Sequence, residues 1–187
     1  MTRIAVSAAL IVALGASIAP HAQSSLPDPQ RTPGALNPEV TQETIQTTIC
    51  IRGWTLEERP PSRYTSTVKR RQMLEYGYTD QDPNDYEEDH LLISLGLGGD
   101  PWDLRNLWPE PRFPADGWTA AMKNQLEKVL PRLVCAGELT LAQAQHAIAT
   151  DWHAAYSGTC DRANEVRSGF PSFAKPGSGC VPIRYYR

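Results

Sequence analysis

The sequence predicts an α+β fold: a single, mostly helical domain around a small two-stranded element, stapled by disulfides. Three observations lead there. Apolar residues recur at helical spacing within 38–50, 62–76, 118–133 and 140–156. Two short apolar runs, Asp89–Leu97 and Leu104–Trp108, flank Gly98-Gly99-Asp100-Pro101, a break that suits two antiparallel strands. Cys50, Cys135, Cys160 and Cys180 make an even set in a chain of 187 residues, a length that suits one domain with a modest core.

Residues 1–22 have the order of a secretory signal. Arg3 precedes the apolar stretch Ile4–Ala19, and small residues stand at Ser17-Ile18-Ala19 and Pro20-His21-Ala22. The stretch is short for a spanning helix and a Pro- and Ser-rich segment follows it, so no membrane association is expected once it is removed. Residues 23–37 are expected to form a flexible linker, and 38–187 a single domain. Asn37-Pro38 suits the start of a helix, with Val40, Ile45 and Ile49 on one face. Ile51–Pro61 is expected to be an irregular connection carrying Trp54. A helix follows over Ser62–Tyr76, stopped at Gly77. Thr79–Glu88 is an acidic, turn-rich approach to the first strand. Pro109–Gly117 is Pro-rich loop. Trp118–Leu133 suits a helix that Pro131 would end early, and Thr140 caps another running to Tyr156. Residues 158–187 form a loop-rich tail. The five tryptophans, at 54, 102, 108, 118 and 152, are expected in the core.

The four cysteines agree with export to an oxidising compartment, secreted or periplasmic. None has zinc or redox CxxC spacing, so two disulfides are expected; the sequence permits three connectivities, of which Cys50–Cys135 with Cys160–Cys180 is favoured, the second closing the Gly-, Pro- and Ser-rich tail. The formal net charge of −3 gives no global attraction to nucleic acid. A phosphate-binding surface must then be a local patch. Arg105 and Arg112, on either side of the second apolar run, are the first candidates. The cluster Arg63, Lys69, Arg70 and Arg71 suits a solvated helix face as well as it suits phosphate contact.

Chemistry points to Asp89-His90 at the head of the first run and Asn106 at the head of the second. Phosphodiester hydrolysis needs a base for water, a cation to offset phosphoryl charge, and a group that orients the base. His titrates near neutrality and suits the base. Asn106 can orient it through its backbone or ring. Asp89 and an oxygen donor on the following helix, first Asn124 with Lys123, Gln125 and Glu127 as neighbours, suit a hard cation: Mg²⁺ first, with Mn²⁺ or Ca²⁺ next. Asp103 is expected to stabilise a turn. His146 and His153 are expected at the solvent or core edge.

The order Asp89-His90, Leu-rich run, Gly98-Gly99, Asn106-Leu107, then a helix resembles the HNH endonuclease family, whose hallmark is a ββα-metal finger. The resemblance covers roughly Glu87–Glu127, within an expected finger core of about 86–134. It lacks the family's frequent Pro shortly after the His and has a Pro-rich insertion before the helix. It implies that Asp89 and Asn124 hold a single divalent cation, that His90 is the general base and that Asn106 positions it. It implies an exported, metal-dependent endonuclease acting on nucleic acid, DNA in preference to RNA. The alternative is a non-catalytic exported binding module that keeps the finger as scaffold.

Overall fold

A computed structural model describes residues 24–87 and 92–160. Residues 1–23 with the expected signal, Glu88–Leu91 and the residues beyond Cys160, with the expected Cys160–Cys180 link, lie outside the described residues.

Four α-helices organise the described residues: α1 Trp54–Glu57, α2 Ser62–Glu75, α3 Ala120–Cys135 and α4 Leu141–Cys160. α3 and α4 pack against each other, and their apolar faces supply most of the core: Leu126, Val129, Leu130 and Leu133 from α3, Ala144, Ile148 and Trp152 from α4. Trp108, Leu97 and Val40 close it from the loops. Trp102 departs from the expectation for the tryptophans, being 54% exposed.

α2 ends where expected. The Gly77 N–H donates to Leu74 O and the Tyr78 N–H to Met73 O, carbonyls that the helix leaves unpaired at its end. Thr140 opens α4 through reciprocal bonds. The Gln143 N–H donates to Thr140 Oγ1 (3.2 Å), and the Thr140 N–H donates to Gln143 Oε1 (2.9 Å). α4 kinks at Asp151 (φ −159°, ψ 90°), whose carboxylate accepts from the Ala154 N–H and so caps the second half.

Pro131 does not end α3, which continues to Cys135. A proline lacks one helical donor, and here that face turns toward a loop: a Cβ on Gly96 would meet Pro131 Cγ at 2.8 Å.

The helix expected from Asn37 is instead a series of turns with a short 3₁₀ segment, Ile45–Thr47. The threonines explain it. Thr44 Oγ1 donates to Glu39 O and accepts from the Thr41 N–H, and Thr48 Oγ1 donates to Thr44 O. Such local bonds compete with the helical ladder. Val40, Ile45 and Ile49 still face the core, and Cys50 is joined to Cys135 at the end of α3 across 5.6 Å between Cα atoms.

The stretch expected as linker lies along the domain from residue 24 onward. The Gly34 N–H donates to Arg105 O, the Asn37 N–H to Gly98 O, and Ala35 O accepts from the Asp100 N–H.

The two-stranded element of the expected α+β fold is not present: no strand occurs among the described residues, so the ββα description is corrected to a mostly helical, loop-rich domain with one disulfide seen, Cys50–Cys135. Leu95–Leu97 and Leu104–Asn106 are 3₁₀ turns. Both facing segments depart from strand periodicity. Leu92 and Ile93 are consecutive and both buried, so the first segment is not two-sided. In the second, Asp103 Oδ1 accepts from the Arg105 N–H (2.8 Å), which coils the chain just where pairing would begin. Pairing is reduced to single contacts, an isolated bridge of Tyr86 with Pro111 and a bond from the Leu92 N–H to Asn106 O.

Candidate active site

Asn106 holds the loop that follows the Asp89-His90 pair. It is fully buried. Its Oδ1 accepts from the Ile93 N–H (2.9 Å), and its Nδ2 donates to Ile93 O (2.9 Å) and Asp100 O (3.1 Å). The carboxamide thus supplies to Ile93 both bonds that a ladder partner would otherwise make. The adjacent glycines permit this approach. Gly98 has φ +73°, and a Cβ on Gly99 would fall 1.8 Å from Ile93 O. Asn106 thus fixes the backbone at Ile93, three places along the chain from His90. Asp89 and His90 lie outside the described residues; their chain neighbours Glu87 and Leu92 do not.

Glu87 enters this region tied on two sides. Its N–H donates to Glu110 O (2.9 Å), and its carboxylate accepts from Arg112 Nη1 (2.6 Å). Arg112 also donates from Nε to Asn84 O (3.0 Å). Buried Lys69 donates to Pro83 O (2.6 Å) and Tyr86 O (3.2 Å), so one member of the basic cluster on α2 serves to hold the acidic approach loop. Another, Arg71, pairs with Glu75 at 3.3 Å. Arg105 is exposed and forks onto Asp103, whose carboxyl it holds below the usual carboxylate range.

A cleft of about 510 Å³ opens beside Glu87. α3 forms one wall with Asn124, Glu127, Lys128 and Arg132, and Arg59, just past α1, stands on another. Of Lys123, Asn124, Gln125 and Glu127, Asn124 lines the cleft and makes no side-chain bond among the described residues. Lys123 is buried and bonds Glu127, while Gln125 Oε1 accepts from Tyr156 Oη (3.4 Å).

Lys123 sits between two carboxylates, Glu127 and Glu110, the latter at 3.7 Å. Burial alone would depress its ammonium; the two carboxylates outweigh that and hold it above the ordinary lysine value. Glu110 is raised to about 7, chiefly by burial, with Lys123 opposing and Glu127 and Glu87 adding to the rise. The cluster anchors the start of α3 to the segment that pairs with Glu87, and so sets where Asn124 stands.

Among the described residues no three His, Cys, Asp or Glu side chains converge on one point. The side-chain oxygens that line the cleft, on Glu87, Asn124 and Glu127 with the hydroxyls of Thr55 and Ser94, are all hard donors, a chemistry that fits Mg²⁺ or Mn²⁺, with Glu87 and Glu127 already ion-paired. Lys128 and Arg132 were not singled out from sequence. Their signal was present as spacing: Asn124, Lys128 and Arg132 recur at four-residue steps and share a face of α3. Arg105 does not line the cleft, and Arg112 touches it only through Glu87. Of the remaining histidines, His146 bonds Thr150 at the surface, and His153 is half-buried and stacked on Trp118.

No helix among the described residues is long and apolar enough to cross a membrane. The chain matches no family model, no curated protein and no solved structure.

Proposed function

We propose that this protein is an exported, divalent-metal-dependent endonuclease that hydrolyses phosphodiester bonds of nucleic acid, with His90 as general base. The observation that carries the reading is one cleft holding both Asn124, the uncommitted oxygen donor of α3, and Glu87, two residues ahead of Asp89.

Asp89 and Asn124 would hold the cation, which when bound would offset charge on the phosphoryl oxygens and stabilise the departing 3′ oxygen. His90 takes the proton of a water molecule as that water attacks phosphorus in line, and the 3′ oxygen leaves. Asn106 would position the segment that follows His90 through its bonds to Ile93. The Arg112–Glu87 pair fixes the entry to the segment, and a basic flank on α3 suits a polyanionic substrate.

The test is degradation of plasmid DNA and of RNA by the disulfide-bonded protein in Mg²⁺ and in Mn²⁺, beside His90→Ala and Asp89→Ala. Cleavage by the wild type that falls by two orders of magnitude or more in His90→Ala, and that EDTA abolishes, supports the reading. Equal inactivity of wild type and His90→Ala in every cation overturns it and leaves the non-catalytic binding module.

A further inference from the structure

Among the described residues the cleft's two carboxylates are each tied to a cation, Glu87 to Arg112 and Glu127 to Lys123. Lys128 and Arg132 are exposed, line the same cleft and make no ion pair among the described residues. This concentration stands on a protein whose formal net charge is −3, so it is a local feature and not a general basicity.

Helical geometry gives the patch a direction. Lys128 lies one turn beyond Asn124 and Arg132 a second turn beyond, about 6 and 12 Å along the axis. The volume, about 510 Å³, falls in the range of small-molecule pockets, roughly 300–1,000 Å³, which suits a strand in preference to the full width of a duplex.

We propose that Lys128 and Arg132 form a phosphate track along α3 that receives the backbone of one nucleic-acid strand beside the bond at Asn124. The track deepens the endonuclease reading and rests on it for the identity of the polyanion. It replaces Arg105 and Arg112 as the principal phosphate contacts. Arg105 is held by Asp103 outside the cleft, and Arg112 is spent on Glu87. The contacts are with the backbone, so the track confers no base preference.

The experiment is fluorescence anisotropy with a labelled single-stranded oligonucleotide of mixed sequence and the full disulfide-bonded protein. EDTA prevents cleavage, and sodium chloride is varied. Each backbone contact on a single strand contributes about 0.7 to the slope of log affinity against log salt. The double variant Lys128→Gln/Arg132→Gln is expected to lower that slope by about 1.4, while Arg105→Gln leaves it at the wild-type value. Both replaced residues are exposed, and matching melting curves confirm that the variant is folded. A slope unchanged in the double variant, or lowered equally by Arg105→Gln, overturns the track, as does wild-type binding that is insensitive to salt. Cleavage is scored separately. A protein that cuts DNA with an unchanged slope keeps the nuclease reading and loses the track. One that binds with the expected slopes but cuts nothing keeps the track and loses the nuclease reading.

Discussion

Asn106 shows why one carboxamide cannot be exchanged for a near isostere. It accepts from the Ile93 N–H and donates to two carbonyls, those of Ile93 and Asp100, in a fully buried position. Replacing it with alanine leaves those backbone groups unsatisfied, at about 1–3 kcal/mol for a buried orphan. Replacing it with aspartate keeps the acceptor but sets a carboxylate against two carbonyl oxygens. Urea denaturation should therefore place Asn106→Ala about 2–3 kcal/mol below wild type and Asn106→Asp at least as low at pH 7. Only the Asp variant should recover toward pH 4, where a protonated carboxyl regains a donor. On the proposed endonuclease reading, cleavage should be lost in both, with Asp89 and His90 intact in sequence. Equal stability of wild type and Asn106→Ala would show that the loop is held by other contacts.

At the level of elements, the N-terminal turns and α3 are joined by the one disulfide seen, and its worth follows from the length of chain it closes. Cys50 and Cys135 are 85 residues apart. The chain-entropy model gives roughly 4–5 kcal/mol for a loop of that size, and measured losses on removing native disulfides span about 2–5 kcal/mol. The variant Cys50→Ser/Cys135→Ser should melt well below wild type in calorimetry, and wild type with dithiothreitol should fall at least as far. A melting point that reduction does not move would mean that this link contributes nothing to stability. The same elements show what sequence can reach. α2, α3 and α4 were legible because their apolar spacing and their stop and cap residues agree: Gly77 after α2, Thr140 with Gln143 before α4. The turns at 38–50 were not, because periodicity registers Val40, Ile45 and Ile49 but not the bonds that Thr41, Thr44 and Thr48 make with the backbone. The strands were misjudged for a related reason. Alternation cannot anticipate that Asn106 and Asp103 side chains occupy the donors and acceptors a ladder needs. Of the site, Asn106 stood out in the sequence as a side chain that bonds backbone, and the backbone it bonds is that of Ile93 and Asp100, while Lys128 and Arg132 were hidden because a charged stripe on a helix looks like any solvated face.

For the molecule as a whole, residues 24–37 act as a latch, and its pH dependence can be worked out. Ser25 is buried: its hydroxyl donates to Asp116 Oδ2 (2.6 Å) and meets His153 Nε2 at 2.8 Å, while its carbonyl accepts from Trp152 Nε1 (2.8 Å). Asp116 as an acceptor takes the hydroxyl proton, so His153 Nε2 must carry a hydrogen and donate to Ser25. Further along, Thr32 bonds Leu107 O and Tyr76 Oη. The latch therefore spans α4, the loop after Asn106 and the end of α2. Burial lowers the His153 pKa below the ordinary value of 6.5, against the opposing pull of Asp151 and Asp116. Between the folded value and 6.5 the unfolded chain binds more protons than the folded one. Stability from this residue is full above 6.5 and is lost as pH falls below it. Glu110 acts in the opposite sense, because its folded value is raised from 4.5 to about 7 and its carboxyl favours the folded state toward acid. The net curve of wild type mixes the two, so the informative quantity is the difference between wild type and His153→Gln. Gln can still donate to Ser25 but does not titrate. The wild-type melting temperature minus that of His153→Gln should be constant above pH 7 and should decrease steadily from pH 6.5 toward pH 5. Ser25→Ala should lower the melting temperature at every pH, since it strips Asp116 and His153 of their shared partner. A difference between wild type and His153→Gln that stays flat across that range would remove His153 from the pH response and leave the latch as packing alone.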